Sequence, residues 1–126
     1  MNPRLRMMTI LIETVAFYAE DPKGRRGIDC FGACCYQTAD GKQCAIGRRV
    51  DDPVGLRGSV YTLDDLYGLD TLLRDKADHG LSVRFWKDLQ LFHDRNEHWR
   101  NDGLTIHGAN AFARFAADIR VGSFDP

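Results

Sequence analysis

A chain of 126 residues, 44% of them hydrophobic, can bury one continuous core without staples or repeats, so a single domain over 1–126 is expected. Seventeen Lys and Arg against eighteen Asp and Glu leave a formal charge of −1, which argues against a generic polyanion binder and against an acidic mimic of nucleic acid. The charge is unevenly spread: residues 23–49 hold Lys23, Arg25, Arg26, Lys42, Arg48 and Arg49 against Asp29 and Asp40, locally +4 with −5 elsewhere.

In chain order, the spacing first predicts an amphipathic helix from about Pro3 to Ala19, with Leu5, Met8, Leu11, Ile12, Val15, Tyr18 and Ala19 on one stripe. Its apolar stretch, broken by Thr9, Glu13 and Thr14, is shorter than the ~20 apolar residues of a membrane span. Glu13 also interrupts any signal-peptide core, so the expectation is a cytoplasmic protein that does not engage a membrane. Residues 21–33 carry Pro22 and three glycines without apolar period and read as loop.

A β-hairpin is expected over Cys34 to Ile46, because Ala39-Asp40-Gly41 suits a three-residue loop with Gly41 in the left-handed position. That loop pairs Thr38 with Lys42 and places Cys34, Tyr36, Cys44 and Ile46 on one face. A two-residue turn would instead put Cys35 beside Cys44. A third strand near Ser59 to Tyr61 is an option. Thr62 and Asp65 resemble a capping box opening a helix to Leu73, and His79-Gly80 reads as a helix C-terminus. Ser82 is expected to cap the strongest helix, running to about Asn101, with Phe85, Trp86, Leu89, Phe92, His93 and Trp99 on its buried stripe. A last helix, about Ala109 to Ile119, turns Phe112, Phe115, Ala116 and Ile119 inward. The fold class is therefore α+β: about four helices packed around a small β-hairpin or three-stranded antiparallel sheet.

Four cysteines, Cys30, Cys34, Cys35 and Cys44, fall close together. In a reducing compartment they are free thiols, metal ligands or a nucleophile with spectators. A helix facing the hairpin would set His93 and Asp94 beside Cys34 and Cys44, which leaves three readings. The cysteines can be small buried hydrophobes, with His93 satisfying a backbone carbonyl. Cys34, Cys44 and His93, with a carboxylate or a second histidine (His98 or His107), can form a tetrahedral zinc site. Alternatively, His93 activates a thiolate while Asp94 fixes its tautomer, as in a hydrolase. No Walker A loop, GxGxxG, nucleophile elbow or His-Glu-x-x-His is present in the sequence, which argues against nucleotide-dependent chemistry.

Cys34-Cys35-Tyr36, then Asp40-Gly41-Lys42-Gln43-Cys44-Ala45-Ile46-Gly47, and later Leu89-Gln90-Leu91-Phe92-His93-Asp94 resemble a group of small uncharacterised proteins of bacteriophages and prophages. The resemblance spans roughly a fifth of the chain and implies that Cys34 and Cys44 are the family positions and Cys35 the variable one. Where such proteins often carry a further cysteine after Gly47, this chain has Arg48-Arg49-Val50, so a third thiolate ligand is missing there. The resemblance implies a phage-derived accessory protein without assigned chemistry. The expectation is a protein that binds a host or defence-system component stoichiometrically, with inhibition of a CRISPR-like complex as one form of that. Arg25, Arg26, Lys42, Arg48 and Arg49 would be the contact residues, with no cofactor. The alternatives are a thiol or zinc-dependent hydrolase and, ranked below both, direct nucleic-acid binding.

Overall fold

The computed structural model describes residues 2–26, 38, 41–51 and 69–125. Among these residues, four helices, α1 (Pro3–Glu20), α2 (Pro22–Arg25), α3 (Val83–Asp94) and α4 (Ile106–Arg120), surround a two-stranded antiparallel hairpin of β1 (Trp99–Arg100) and β2 (Gly103–Leu104). The class is α+β, as the sequence predicts. The regular hairpin, however, lies at Trp99–Leu104, where the apolar stripe suggests helix.

Helix α1 starts where the Asn2 side chain accepts the amide protons of Arg4 and Leu5, with Pro3 at the first helical position. Its buried face is Met7, Ile10, Leu11, Thr14, Val15 and Tyr18, rotated from the expected stripe: Leu5 is 65% exposed and Ile12 52%. The first two turns of α1 carry apolar residues on both sides, so periodicity alone does not say which side faces the core. Asp21 accepts the Gly24 amide at 3.1 Å, and with Pro22 it starts the short α2 inside a segment whose composition reads as loop.

Helix α3 is capped by Ser82, which accepts the Phe85 amide at 3.2 Å. It ends at Asp94 rather than near Asn101, because Arg95 is extended and a 3-10 turn, Asn96–His98, leads into β1. Folding back lets the Trp99 indole donate to the His93 carbonyl at 3.0 Å, which satisfies one of the carbonyls exposed at the helix end. Thr105 caps α4 by accepting the Gly108 amide at 3.0 Å. Leu69–Thr71 is a 3-10 turn rather than the end of an α-helix, and Val50 bridges Leu73; residues 62–68 of that expected helix lie outside the described residues, as does the optional strand at 59–61. Helix α4 packs on α1, β2 and the Asn96–His98 turn. The core joins Tyr18, Phe85, Trp86, Leu89, Ile119 and the Cys44-Ala45-Ile46 segment.

Electrostatic ties fix α1 to the rest. Asp78, 1% exposed, receives Arg6 and Arg49, while Glu13 holds Arg48 at 2.7 Å and Arg49 at 2.6 Å. Each of these five arginine and carboxylate groups is thus answered where it is partly buried, the condition under which breaking one member is costly. No helix among the described residues is long and apolar enough to cross a membrane.

Candidate functional site

The segment after the Asp-Gly pair shows how the sequence shapes the site. Gly41 has φ +85°, the Thr38 amide donates to the Lys42 carbonyl at 2.8 Å, and the Gly41 amide donates to Thr38 O at 3.0 Å. This is the Thr38–Lys42 closure expected for a three-residue loop. The strand beyond it is short. Gln43 bridges Arg26, and then the chain turns at Cys44-Ala45-Ile46 into the 3-10 turn Gly47–Arg49. That corrects the expected strand through Ile46. The physical reason is that hydrogen bonds there close on the turn itself: Cys44 Sγ accepts the Gly47 amide at 3.2 Å and the Arg48 amide donates to Cys44 O at 3.1 Å. The cross-strand partner at Tyr36, and with it the choice between Cys34 and Cys35, lies outside the described residues.

Helix α3 delivers Gln90, His93 and Asp94 to this turn. Gln90 Oε1 accepts the Ile46 amide at 3.3 Å, and its Nε2 donates to Asp94 Oδ1 at 2.8 Å. His93 Nδ1 lies 2.6 Å from the same carboxylate oxygen. A carboxylate only accepts, so Nδ1 carries the proton. The 3.4 Å approach of Gln90 Nε2 to Nδ1 is then donor against donor, a packing contact and not a bond. The edge of Tyr18 meets the His93 ring at a centroid distance of 4.6 Å, and its hydroxyl donates to Gln43 O at 2.5 Å. Burial holds His93 below the ordinary imidazole range against the upward pull of Asp94, and burial pushes the Tyr18 hydroxyl up.

The structure therefore gathers three of the four expected site residues, Cys44, His93 and Asp94, around Tyr18 and Gln90; Cys34 lies outside the described residues. Cys44 and His93 are both fully buried. Thiolate attack or metal exchange needs an open approach, and neither residue is exposed to solvent. Among the described residues no three His, Cys, Asp or Glu side chains are grouped to hold a metal ion. His98 and His107, the optional further ligands, line a separate cavity that has neither Cys44 nor His93 among its described walls.

The basic residues divide into two sets. Arg26 donates to His93 O at 2.8 Å, to Asp94 O at 2.9 Å and to Asn96 Oδ1 at 3.0 Å, so its guanidinium caps the negative end of α3. Arg49 is committed to Glu13 and Asp78. Arg25, Lys42 and Arg48 line one cavity of about 280 Å³ together with Phe17, Gly24, Gly41 and Gln43, although Arg48 is also paired with Glu13 at 2.7 Å and Arg25 with Glu20 at 3.4 Å. No carboxylate stands among its described walls. The Phe17 ring carries the Arg48 guanidinium 3.6 Å and the Arg25 guanidinium 4.5 Å from its centroid, which props both cations in place.

Sequence reasoning missed Phe17, Glu13, Gln90 and the capping role of Arg26. Glu13 interrupting an apolar helix was the visible signal for one of them, since a charge in that setting calls for a cationic partner. Gln90 stands inside the Leu89-Gln90 pair already singled out. Nothing local marks Phe17 or Arg26, whose roles depend on contacts between distant segments. No family model matches the chain, and no curated protein or solved structure matches it.

Proposed function

We propose that the protein is a phage-derived accessory protein that acts by stoichiometric binding, docking an acidic surface of a host or defence-system protein on the Arg25–Lys42–Arg48 cavity. The observation that carries this reading is the convergence of three cationic side chains on one recess whose own described walls hold no carboxylate, with Arg48 paired to Glu13 and Arg25 to Glu20 outside those walls. Guanidinium and ammonium groups held in this way match the carboxylates of an acidic protein surface. Inhibition of a CRISPR-like complex is one outcome such docking would have.

Nucleic acid is a weaker match for the same recess, because the aromatic ring beside the cations is already occupied by two guanidinium groups and offers little to a stacking base. The competing reading, a thiol or zinc-dependent hydrolase, draws support from the 2.6 Å His93–Asp94 pair. The full burial of Cys44 and His93 weighs against it.

The test is affinity capture from host lysate with three proteins: wild type, Arg25→Ala/Lys42→Ala, and the charge-matched Arg100→Ala/Arg120→Ala. The reading expects a partner retained in equimolar amount by the wild type and by the charge-matched control, and lost with Arg25→Ala/Lys42→Ala. Identical captures by all three would overturn it.

A further inference from the structure

A cavity of about 410 Å³ lies between α3, the Asn96–His98 turn and α4, and it takes no part in the docking surface proposed above. Its volume falls in the range of small-molecule sites. The buried rings of Phe92, Phe115 and Phe124 form apolar wall. Asp88 of α3 and Asp118 of α4 both line it, burial and the Asp118 charge push the Asp88 carboxyl up against Arg84 and Lys87, and neither aspartate side chain makes a hydrogen bond or ion pair with a described residue.

A pair of surface carboxylates alone would not make a site. The second observation is His98, which is 6% exposed. Its Nδ1–H donates to the Phe92 carbonyl at 2.9 Å, and its ring lies against Phe92 at 4.6 Å. The Nε2 atom makes no hydrogen bond with any described residue. Sealed side-chain nitrogens and oxygens without a partner are Thr14 Oγ1 and Trp86 Nε1 among the described residues, so Nε2 of His98, a residue of the cavity wall, is not sealed. With the proton fixed on Nδ1, a neutral His98 offers Nε2 as an acceptor. Burial keeps the ring below the ordinary imidazole range, and Arg95 and His107 push the same way against Glu97.

Both polar walls therefore present acceptors over an aromatic surface. The cations that line the cavity do not cancel this. Arg95 is engaged by Glu97 at 3.4 Å, and Arg114 is the other lining arginine, while Arg84 and Lys87 act on Asp88 from outside the lining. We propose that this cavity binds a small organic ammonium ion, its N–H groups shared between His98 Nε2 and the Asp88–Asp118 pair and its apolar body against Phe92, Phe115 and Phe124. The chemistry is hydrogen bonding to one buried imidazole nitrogen and two exposed carboxylates combined with attraction of a cation to ring faces.

The test titrates the full chain with benzylammonium chloride at neutral pH and follows the ¹⁵N resonance of His98 Nε2. Expected is a saturable shift that weakens roughly tenfold or more in Asp88→Asn/Asp118→Asn, the scale of removing charge partners from a partly desolvated cation. Both aspartates are exposed and unbonded, so this variant keeps its fold. A blocked lysine, N-acetyl-lysine methylamide, separates two sources of the same chemistry: tighter binding than benzylammonium assigns the site to a lysine of a peptide, and weaker binding to a free amine. A non-saturating shift, unchanged binding in the aspartate variant, or equal binding of benzoate would overturn the proposal.

Discussion

Thr14 Oγ1 is buried in α1 without a hydrogen-bond partner, so it carries a desolvation cost that a methyl group of the same shape avoids. Thr14→Val is expected to raise the unfolding free energy by about 1 kcal/mol, read from urea denaturation; a loss of stability would mean the hydroxyl is satisfied in solution. Cys44 makes a different case at the same scale. Its sulfur holds the Gly47 amide and its surface is sealed, so alkylation by iodoacetamide must wait for local opening. In a variant keeping Cys44 alone, labelling in native buffer is expected to be at least ~10-fold slower than that of a model thiol, whose reactivity follows its thiolate fraction. Rates equal to or above the model thiol would restore the catalytic reading. His93 and His98 are both held below the ordinary imidazole range by burial, whereas unfolded histidine titrates near ~6.5. As pH falls, the unfolded chain takes up protons that the folded one refuses. Their contribution is thus intact above about pH 6.5 and lost as pH falls from there toward the folded values. Thermal unfolding should show Tm falling from about pH 7.5 to about pH 5.5, with a shallower slope in His93→Gln; a flat or rising Tm would contradict the buried neutral pair.

At the scale of elements, the junction between β2 and α4 is held by backbone contact. A Cβ at Gly108 would lie 2.3 Å from the His98 carbonyl oxygen, and that oxygen also accepts the Thr105 amide at 2.9 Å. Gly108→Ala raises helix propensity by about 1 kcal/mol, yet it is expected to lower stability by about 1–3 kcal/mol because helix and turn must separate. A stabilised variant in thermal melts would show that this packing yields freely. Local chemistry made several elements legible. Asp40-Gly41 signalled the loop that closes Thr38 on Lys42, Ser82 marked the start of α3, and the stripe Phe85, Trp86, Leu89, Phe92 and His93 is buried as its spacing predicts. The end of α3 was not legible, since it depends on Arg26 from the other end of the domain capping His93 and Asp94, and on Trp99 folding back to His93. The same limit explains α1: with apolar residues all round its first turns, only the docking of α4 and the arginine–carboxylate ties select the buried side.

For the molecule as a whole, the cationic segment does two jobs that charge counting cannot separate. Arg26 and Arg49 are consumed in joining segments, Arg48 both pairs with Glu13 and lines the recess, and Arg25 and Lys42 line it beside Arg48. The sequence named all five as contact residues because it shows where charge lies along the chain and not which carboxylates fold against it. The expected site of Cys44, His93 and Asp94 was legible as a cluster, but its sealing by Tyr18 and the surrounding core was not, because exposure is a property of the whole packing. The proposed docking places the binding of acidic groups in the recess rather than in net charge. The most direct measurement is fluorescence anisotropy of a labelled octaglutamate peptide at about 0.1 M salt, where exposed charges beyond about 10 Å are screened. Wild type and Arg100→Ala/Arg120→Ala are predicted to bind alike, and Arg25→Ala/Lys42→Ala to bind about tenfold more weakly, in line with the loss of two charge-assisted contacts. Equal affinities for all three proteins, or an equal loss in both double variants, would contradict it.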